Sequence, residues 1–134
     1  MVAAASIQTV YLVDDNEVDL FVQKRFIEMK KFAGNIITFS SPSKALEALT
    51  NNSAHLPGIL FLDLNMPMLN GFEFLEQVRE TSQELFNRLR VVVLTSSNSQ
   101  ADRDRAYSFS NVIRFIPKPL TSQGLDELLS TINN

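Results

Sequence analysis

Four apolar runs in this sequence end on side chains that can bind a metal ion or a phosphate. Residues 9–13 run into Asp14-Asp15, and Ile59–Leu62 runs into Asp63 with Asn65 two residues on. Residues 91–94 run into Thr95-Ser96, and residues 114–116 into Pro117 and Lys118. Three carboxylates, a hydroxyl and an ammonium together could hold an anion against a cation. Unaided, the carboxylates would repel: one like-charge pair at ~4 Å costs about 4 kcal/mol at an intermediate effective dielectric. A divalent cation relieves that repulsion. The all-oxygen donor set suits a hard ion, and magnesium, which keeps several waters and pairs with phosphate oxygens, is the natural choice. Acidic pairs are common in turns, so Asp14-Asp15 gains its weight from Asp63 and Lys118 standing at equivalent positions.

For these side chains to meet, the runs must lie side by side with their carboxyl ends at one rim. Residues 9–13, stopped by Asp14-Asp15, read as a buried strand. From Glu17 the period changes: Val18, Phe21, Val22, Phe26 and Met29 recur at helical spacing, and Gly34 is expected to end that helix. Residues 36–39 form a second strand. Ser41-Pro42 reads as an N-cap followed by proline in the first turn, with Ala45, Ala48 and Leu49 as the buried stripe. Ile59–Leu62 is uniformly apolar, which predicts a third strand covered on both faces. Gly71, a backbone requirement at a helix start, precedes Phe74, Leu75 and Val78. Residues 82–88 add a further helical turn before the fourth strand, residues 91–94. Residues 100–109 read as a helix with a thin apolar face, because Asp102-Arg103-Asp104-Arg105 occupies it. Residues 114–116 make a short fifth strand, and Leu125, Leu128, Leu129 and Ile132 mark a last helix.

Five strands alternating with helices imply right-handed crossovers and an α/β doubly wound parallel sheet with helices on both faces. Pro117 lacks an N–H and belongs at a sheet edge. The flavodoxin-like strand order 2-1-3-4-5 supplies that edge, and in such sheets ligands bind outside the carboxyl ends of the strands.

The segment Leu62-Asp63-Leu64-Asn65-Met66-Pro67, with Gly71 after it, resembles the phosphoacceptor motif of CheY-like receiver domains of two-component response regulators. Asp14-Asp15, Leu94-Thr95-Ser96 and Lys118-Pro119 match that family's other signatures, in its order and at its approximate spacing. The resemblance runs from about Thr9 to Ile132. It implies that Asp63 accepts a phosphoryl group from a sensor histidine kinase or a histidine phosphotransfer protein. It further implies that Asp15, Asp63 and the Asn65 backbone carbonyl ligate Mg2+, with Asp14 acting mainly through water. Lys118 and Thr95 would each bind a phosphoryl oxygen. Thr95 and Phe115 would form the switch, Phe115 being the aromatic that turns inward in this family. The output surface would be the helix at residues 100–109, the fifth strand and the last helix, facing a downstream protein target. Lys118-Pro119 resembles the family's cis peptide. On this reading residues 1–134 are a single receiver domain without an output domain. It catalyses only its own phosphorylation and dephosphorylation, as a monomer or weak dimer.

Composition narrows the alternatives. A net charge of −3 argues against a nucleic-acid partner, and Lys24-Arg25 with Lys30-Lys31 reads as a solvated helix face. With no cysteine, disulfides, zinc-thiolate sites and thiol catalysis are excluded. No apolar run is long enough to span a bilayer, and residues 1–6 lack the features of a secretory signal, so a cytoplasmic location is expected. His55 is expected to be a surface residue, and Met66, Met68 and Leu69 to pack rather than bind. A flavin-mononucleotide protein would need a Gly/Ser/Thr-rich first loop, where this chain has Asp14-Asp15-Asn16-Glu17. A haloacid-dehalogenase-type phosphatase would carry its nucleophile after the first strand with an acid two residues on, where this chain has Asp63 after the third and Asn65. A degenerate receiver that interacts without phosphorylation is the remaining alternative.

Overall fold

The structure, a computed structural model, describes residues 7–67 and 69–133; residues 1–6, Met68 and Asn134 lie outside the described residues. The elements follow as β1 (Ile7–Val13), α1 (Glu17–Met29), β2 (Ala33–Phe39), α2 (Pro42–Asn51), β3 (Ile59–Leu62) and α3 (Gly71–Thr81). Then come α4 (Gln83–Arg88), β4 (Val91–Thr95), α5 (Gln100–Tyr107), β5 (Val112–Pro117) and α6 (Ser122–Asn133). The five strands form one parallel sheet in the order β2-β1-β3-β4-β5, as expected.

Side chains alternate across each strand, and both faces are covered. Tyr11, Val13, Leu60, Leu62, Val91 and Val93 pack with Ala45 and Leu49 of α2, Phe74 and Val78 of α3, and Phe86 of α4. Val10, Leu12, Ile59, Phe61, Val92 and Leu94 face the other way, against Leu20 and Ile27 of α1 and Leu125 and Leu128 of α6. Both faces of β3 and β4 are buried, which explains why these strands read as unbroken apolar runs.

Helix α1 differs from the periodic reading. Leu20, Gln23 and Ile27 are its buried residues. Phe26 is half-buried, while Val18, Phe21 and Met29 are about two-thirds exposed and Val22 is also exposed. The inward stripe contains a glutamine because Gln23 Nε2 donates to Asp14 Oδ2 at 3.2 Å. A polar residue needed at the site thus weakened the inner stripe and left the outer one the more apolar. Gly34 also lies elsewhere than expected, inside β2. The helix ends at Met29, and Lys31 supplies the left-handed residue, with φ 51°.

Helix α5 buries only Ala106, which matches its thin apolar face. It is held instead by aromatic contacts. The Arg103 guanidinium stands 4.9 Å over the Phe115 ring and that of Arg105 4.2 Å over Phe72. Such contacts contribute about 0.5–2 kcal/mol each, depending on desolvation. Tyr107 Oη also accepts the Phe115 N–H at 3.0 Å.

Candidate functional site

The ladder hydrogen bonds continue one residue past the strands and bring the rim residues into line. Asp14 N–H donates to Phe39 O at 3.1 Å, Asp63 N–H to Val13 O at 3.0 Å and Lys118 N–H to Thr95 O at 2.7 Å. Residues distant in the chain therefore leave the sheet at one level. Lys118-Pro119 is cis, as anticipated.

Above that level, carboxylate oxygens of Asp14, Asp15 and Asp63 lie within 4.8 Å of one another. Asp14 and Asp63 are buried and Asp15 is exposed. Asp14 Oδ1 accepts the Asn16 N–H at 2.9 Å, while its Oδ2 accepts from Lys118 Nζ at 2.7 Å as well as from Gln23. Asp63 Oδ1 accepts the Asn65 N–H at 3.2 Å, and its Oδ2 faces Lys118 Nζ at 3.3 Å. Thr95 is fully buried, and its hydroxyl oxygen accepts from Asn65 Nδ2 at 3.4 Å and from the Ser97 N–H at 3.3 Å. Three convergent carboxylates with hard oxygen donors fit a divalent cation.

The charge balance explains the titration behaviour. Burial, then the neighbouring Asp14 charge, pushes the Asp63 carboxyl above its usual range, against the pull of Lys118 and the Asn65 N–H. Burial alone would lower Lys118, but hydrogen bonds to Asp14 and Asp19 and the charges of Asp14 and Asp63 hold it well above the ordinary lysine value. One cation shared among several carboxylates is bound tightly itself and leaves Asp63 under-compensated.

Gly71 is required by close approach. A Cβ there would stand 2.6 Å from Asp63 O and 2.9 Å from Leu64 Cα. The start of α3 is thus pressed against the backbone that carries Asp63. Asn70 caps that helix through a reciprocal pair with Glu73.

Phe115 stands apart from the carboxylates. It pairs with Val93 across β4–β5 and is already buried in this structure, beneath Arg103. Met66 is buried and Leu69 packs against the core, while His55 is exposed. The carboxylate of Asp19, absent from the candidates read from the sequence, accepts from Lys118 Nζ at 2.7 Å. Its spacing from Asn16 reads as ordinary helix capping, which hides this second contact.

A family model for the response regulator receiver domain matches residues 10–130. The chain belongs to this family. It is a receiver domain, a signalling module of two-component phosphorelays, and the flavin and phosphatase readings are set aside. It is 32% identical over 126 residues to a probable methanogenesis regulatory protein, FilR2, of Methanothrix harundinacea, covering 92% of this chain and 79% of the relative. It is 29% identical over 124 residues to hybrid signal transduction histidine kinase C of Dictyostelium discoideum, covering 90% of this chain but 10% of that protein. Among solved structures, a two-component response regulator from Cytophaga hutchinsonii superposes with a TM-score of 0.87 at 29% identity, covering 96% of this chain and 98% of the other. Among the described residues, no helix of this receiver is long and apolar enough to cross a membrane.

Proposed function

We propose that Asp63 is the phosphoacceptor of this receiver domain and that a phosphohistidine on a sensor kinase or phosphotransfer protein is the donor. The observation that carries the reading is the meeting of the Asp63 carboxylate with Asp14, Asp15 and the Lys118 ammonium at one rim. An Asp63 carboxylate oxygen attacks phosphorus as the P–N bond to the donor imidazole breaks. The electron pair stays on the ring nitrogen, which takes up a proton, and Asp63 becomes an acyl phosphate. Phosphoryl transfer of this kind needs positioning and charge neutralisation rather than elaborate covalent machinery.

Asp15, Asp63 and the Asn65 carbonyl would hold Mg2+ directly. Both Asp14 oxygens already accept hydrogen bonds from the chain, which supports its acting through water. Mg2+ held by these residues would supply positive charge to offset the acceptor carboxylates and the incoming phosphoryl group. Lys118 would pair with one such oxygen, and the Thr95 hydroxyl would turn its proton to another.

Drawing Thr95 toward the phosphoryl group would change the packing of Phe115 on the neighbouring strand. Because Phe115 is buried from the outset, the response we expect is a repacking beneath Arg103 rather than an entry from solvent. The face so altered includes a groove of about 250 Å³ lined by Arg103, Tyr107, Phe115, Gly124 and Glu127, between α5, β5 and α6. That face would meet the downstream protein. The outward stripe of α1 (Val18, Phe21, Val22) starts beside Asp15 and would receive the donor protein. The domain would work in the cytoplasm, as a monomer or weak dimer.

Incubation with acetyl phosphate and Mg2+, followed by mass mapping, tests the reading. One added phosphoryl group on Asp63, lost in Asp63→Asn and in excess chelator, is the expected outcome. Labelling elsewhere, or none, sinks it and favours a degenerate interaction module.

A further inference from the structure

Two helices here begin with the same signature, an Asn N-cap and an acid three residues later. In α3 the acid completes a capping box: Glu73 Oε1 accepts the Asn70 N–H at 2.9 Å, and Asn70 Oδ1 accepts the Glu73 N–H at 2.9 Å. In α1 the first half is kept, with Asn16 Oδ1 accepting the Asp19 N–H at 3.0 Å. The second half is not. The Asn16 N–H is taken by Asp14 Oδ1, and the Asp19 carboxylate turns to Lys118, 99 residues away, with Oδ2 2.7 Å from Nζ. Capping therefore does not account for where this carboxylate points.

The Lys118 ammonium has three protons and three carboxylate partners: Asp14 at 2.7 Å, Asp19 at 2.7 Å and Asp63 at 3.3 Å. Asp14 and Asp63 belong to the group of oxygens that converge on one point; Asp19 does not. A divalent cation would draw on Asp63 directly and on Asp14 through water, and the phosphoryl group would form on Asp63 itself. Asp19 is the one partner whose oxygen neither of them claims. Its side chain is 38% exposed while that of Lys118 is 14% exposed, so the contact spans the site from β5 to α1 at its solvent edge.

We infer that Asp19 is a positioning residue for the phosphoryl transfer, anchoring the Lys118 ammonium over the acceptor while metal and phosphate engage its other partners. This rests on Asp63 being the acceptor. With Asp19 holding one proton, the ammonium keeps its place as the proton that faces Asp63 turns to a phosphoryl oxygen. Without it, Lys118 samples several rotamers and the ammonium must be placed anew in each reaction. Orientation lost in this way slows the chemical step more than it weakens ion binding.

The test is a double-mutant cycle on the purified receiver with acetyl phosphate and saturating Mg2+. The Asp63 carboxylate displaces acetate, which leaves with the P–O bonding pair, and the rate is timed by intact mass. Asp19→Asn should slow the limiting rate about tenfold, the scale of a charge-assisted contact, and Asp19→Glu should recover part of it. The Mg2+ dissociation constant should move less than about twofold, because Asp19 lies outside the converging oxygens. In a Lys118→Ala background, Asp19→Asn should have no further effect. An equal loss in both backgrounds, or a wild-type rate in D19N, overturns the inference while leaving Asp63 as the acceptor. A wild-type chain that takes no phosphoryl group on Asp63 overturns the acceptor reading instead. Should Lys118→Ala be too slow to time, the Lys118 Nζ resonance in 1H–15N spectra decides: it should shift and broaden in D19N and return in D19E. An unchanged resonance in D19N also overturns the inference.

Discussion

The backbone N–H of Lys118 donates to the carbonyl of Thr95 at 2.7 Å. The tips of β4 and β5 are thereby tied, so hydroxyl and ammonium are presented together and cannot separate without breaking a ladder bond. Thr95→Val keeps that backbone bond and the shape of the side chain but removes the hydroxyl. We expect it to fold and still accept a phosphoryl group on Asp63. The ring resonances of Phe115 should move on phosphorylation of the wild type and stay in place in Thr95→Val. Equal movement in both proteins would remove Thr95 from the switch.

Acidity separates the two halves of the Asp63–Lys118 pair. Asp63 is raised in the folded chain, so between the unfolded value of 3.8 and the raised one the folded state binds more protons than the unfolded state. Stability therefore falls as pH rises through that window, and the cost is fully present above it. In metal-free buffer at pH 7, Asp63→Asn should be the more stable protein in urea, with the gap closing as pH falls toward 3.8. Lys118 has the opposite sign. Raised above 10.5, it contributes stability that is complete below 10.5 and lost as pH rises through its folded value. Lys118→Ala at pH 7 should cost about 2–3 kcal/mol, because it strands the carboxylates at a site partly open to water. Millimolar Mg2+ should restore more of that loss than it adds to the wild type.

Gly71 offers a steric route to the same site. An alanine methyl 2.6 Å from Asp63 O cannot be accommodated by a side-chain rotation alone, because Asp63 O and Leu64 Cα are backbone atoms. Gly71→Ala should cost about 1–3 kcal/mol in a denaturant melt and also slow labelling of Asp63. A melt and a labelling rate both unchanged would mean that α3 moves away freely.

The two sides of α1 should differ in their response to truncation. Ile27 is fully buried, and Ile27→Ala should destabilise by about 2–5 kcal/mol. Phe21 is about two-thirds exposed, and Phe21→Ser should leave stability within about 0.5 kcal/mol. Urea midpoints with an unchanged slope distinguish the outcomes, and a large loss in Phe21→Ser would place that ring in the core.

Most of the fold was legible because the sheet is covered on both faces. Strands such as Ile59–Leu62 must then be continuously apolar, and polarity can begin only where they leave the layer. The residues following them accordingly spelled out the rim: Asp14-Asp15, Asp63, Thr95 and Lys118. Where apolar residues served something other than the core, the reading shifted. The outer stripe of α1 is more apolar than its inner one, because Gln23 is turned inward to Asp14. The turn after that helix uses Lys31 rather than Gly34, since a left-handed residue need not be glycine when the surrounding chain fixes it.

The sequence by itself determined the order of elements and the chemistry available at each strand end, because both follow from local periodicity and from which residue stops each run. Only the tertiary structure decided how those groups share their charges. The contact of Lys118 with Asp19, the saturation of Asp14 and the burial of Phe115 beneath Arg103 join residues far apart in the chain. Such pairings depend on side-chain directions across the folded rim, for which linear spacing carries no signal.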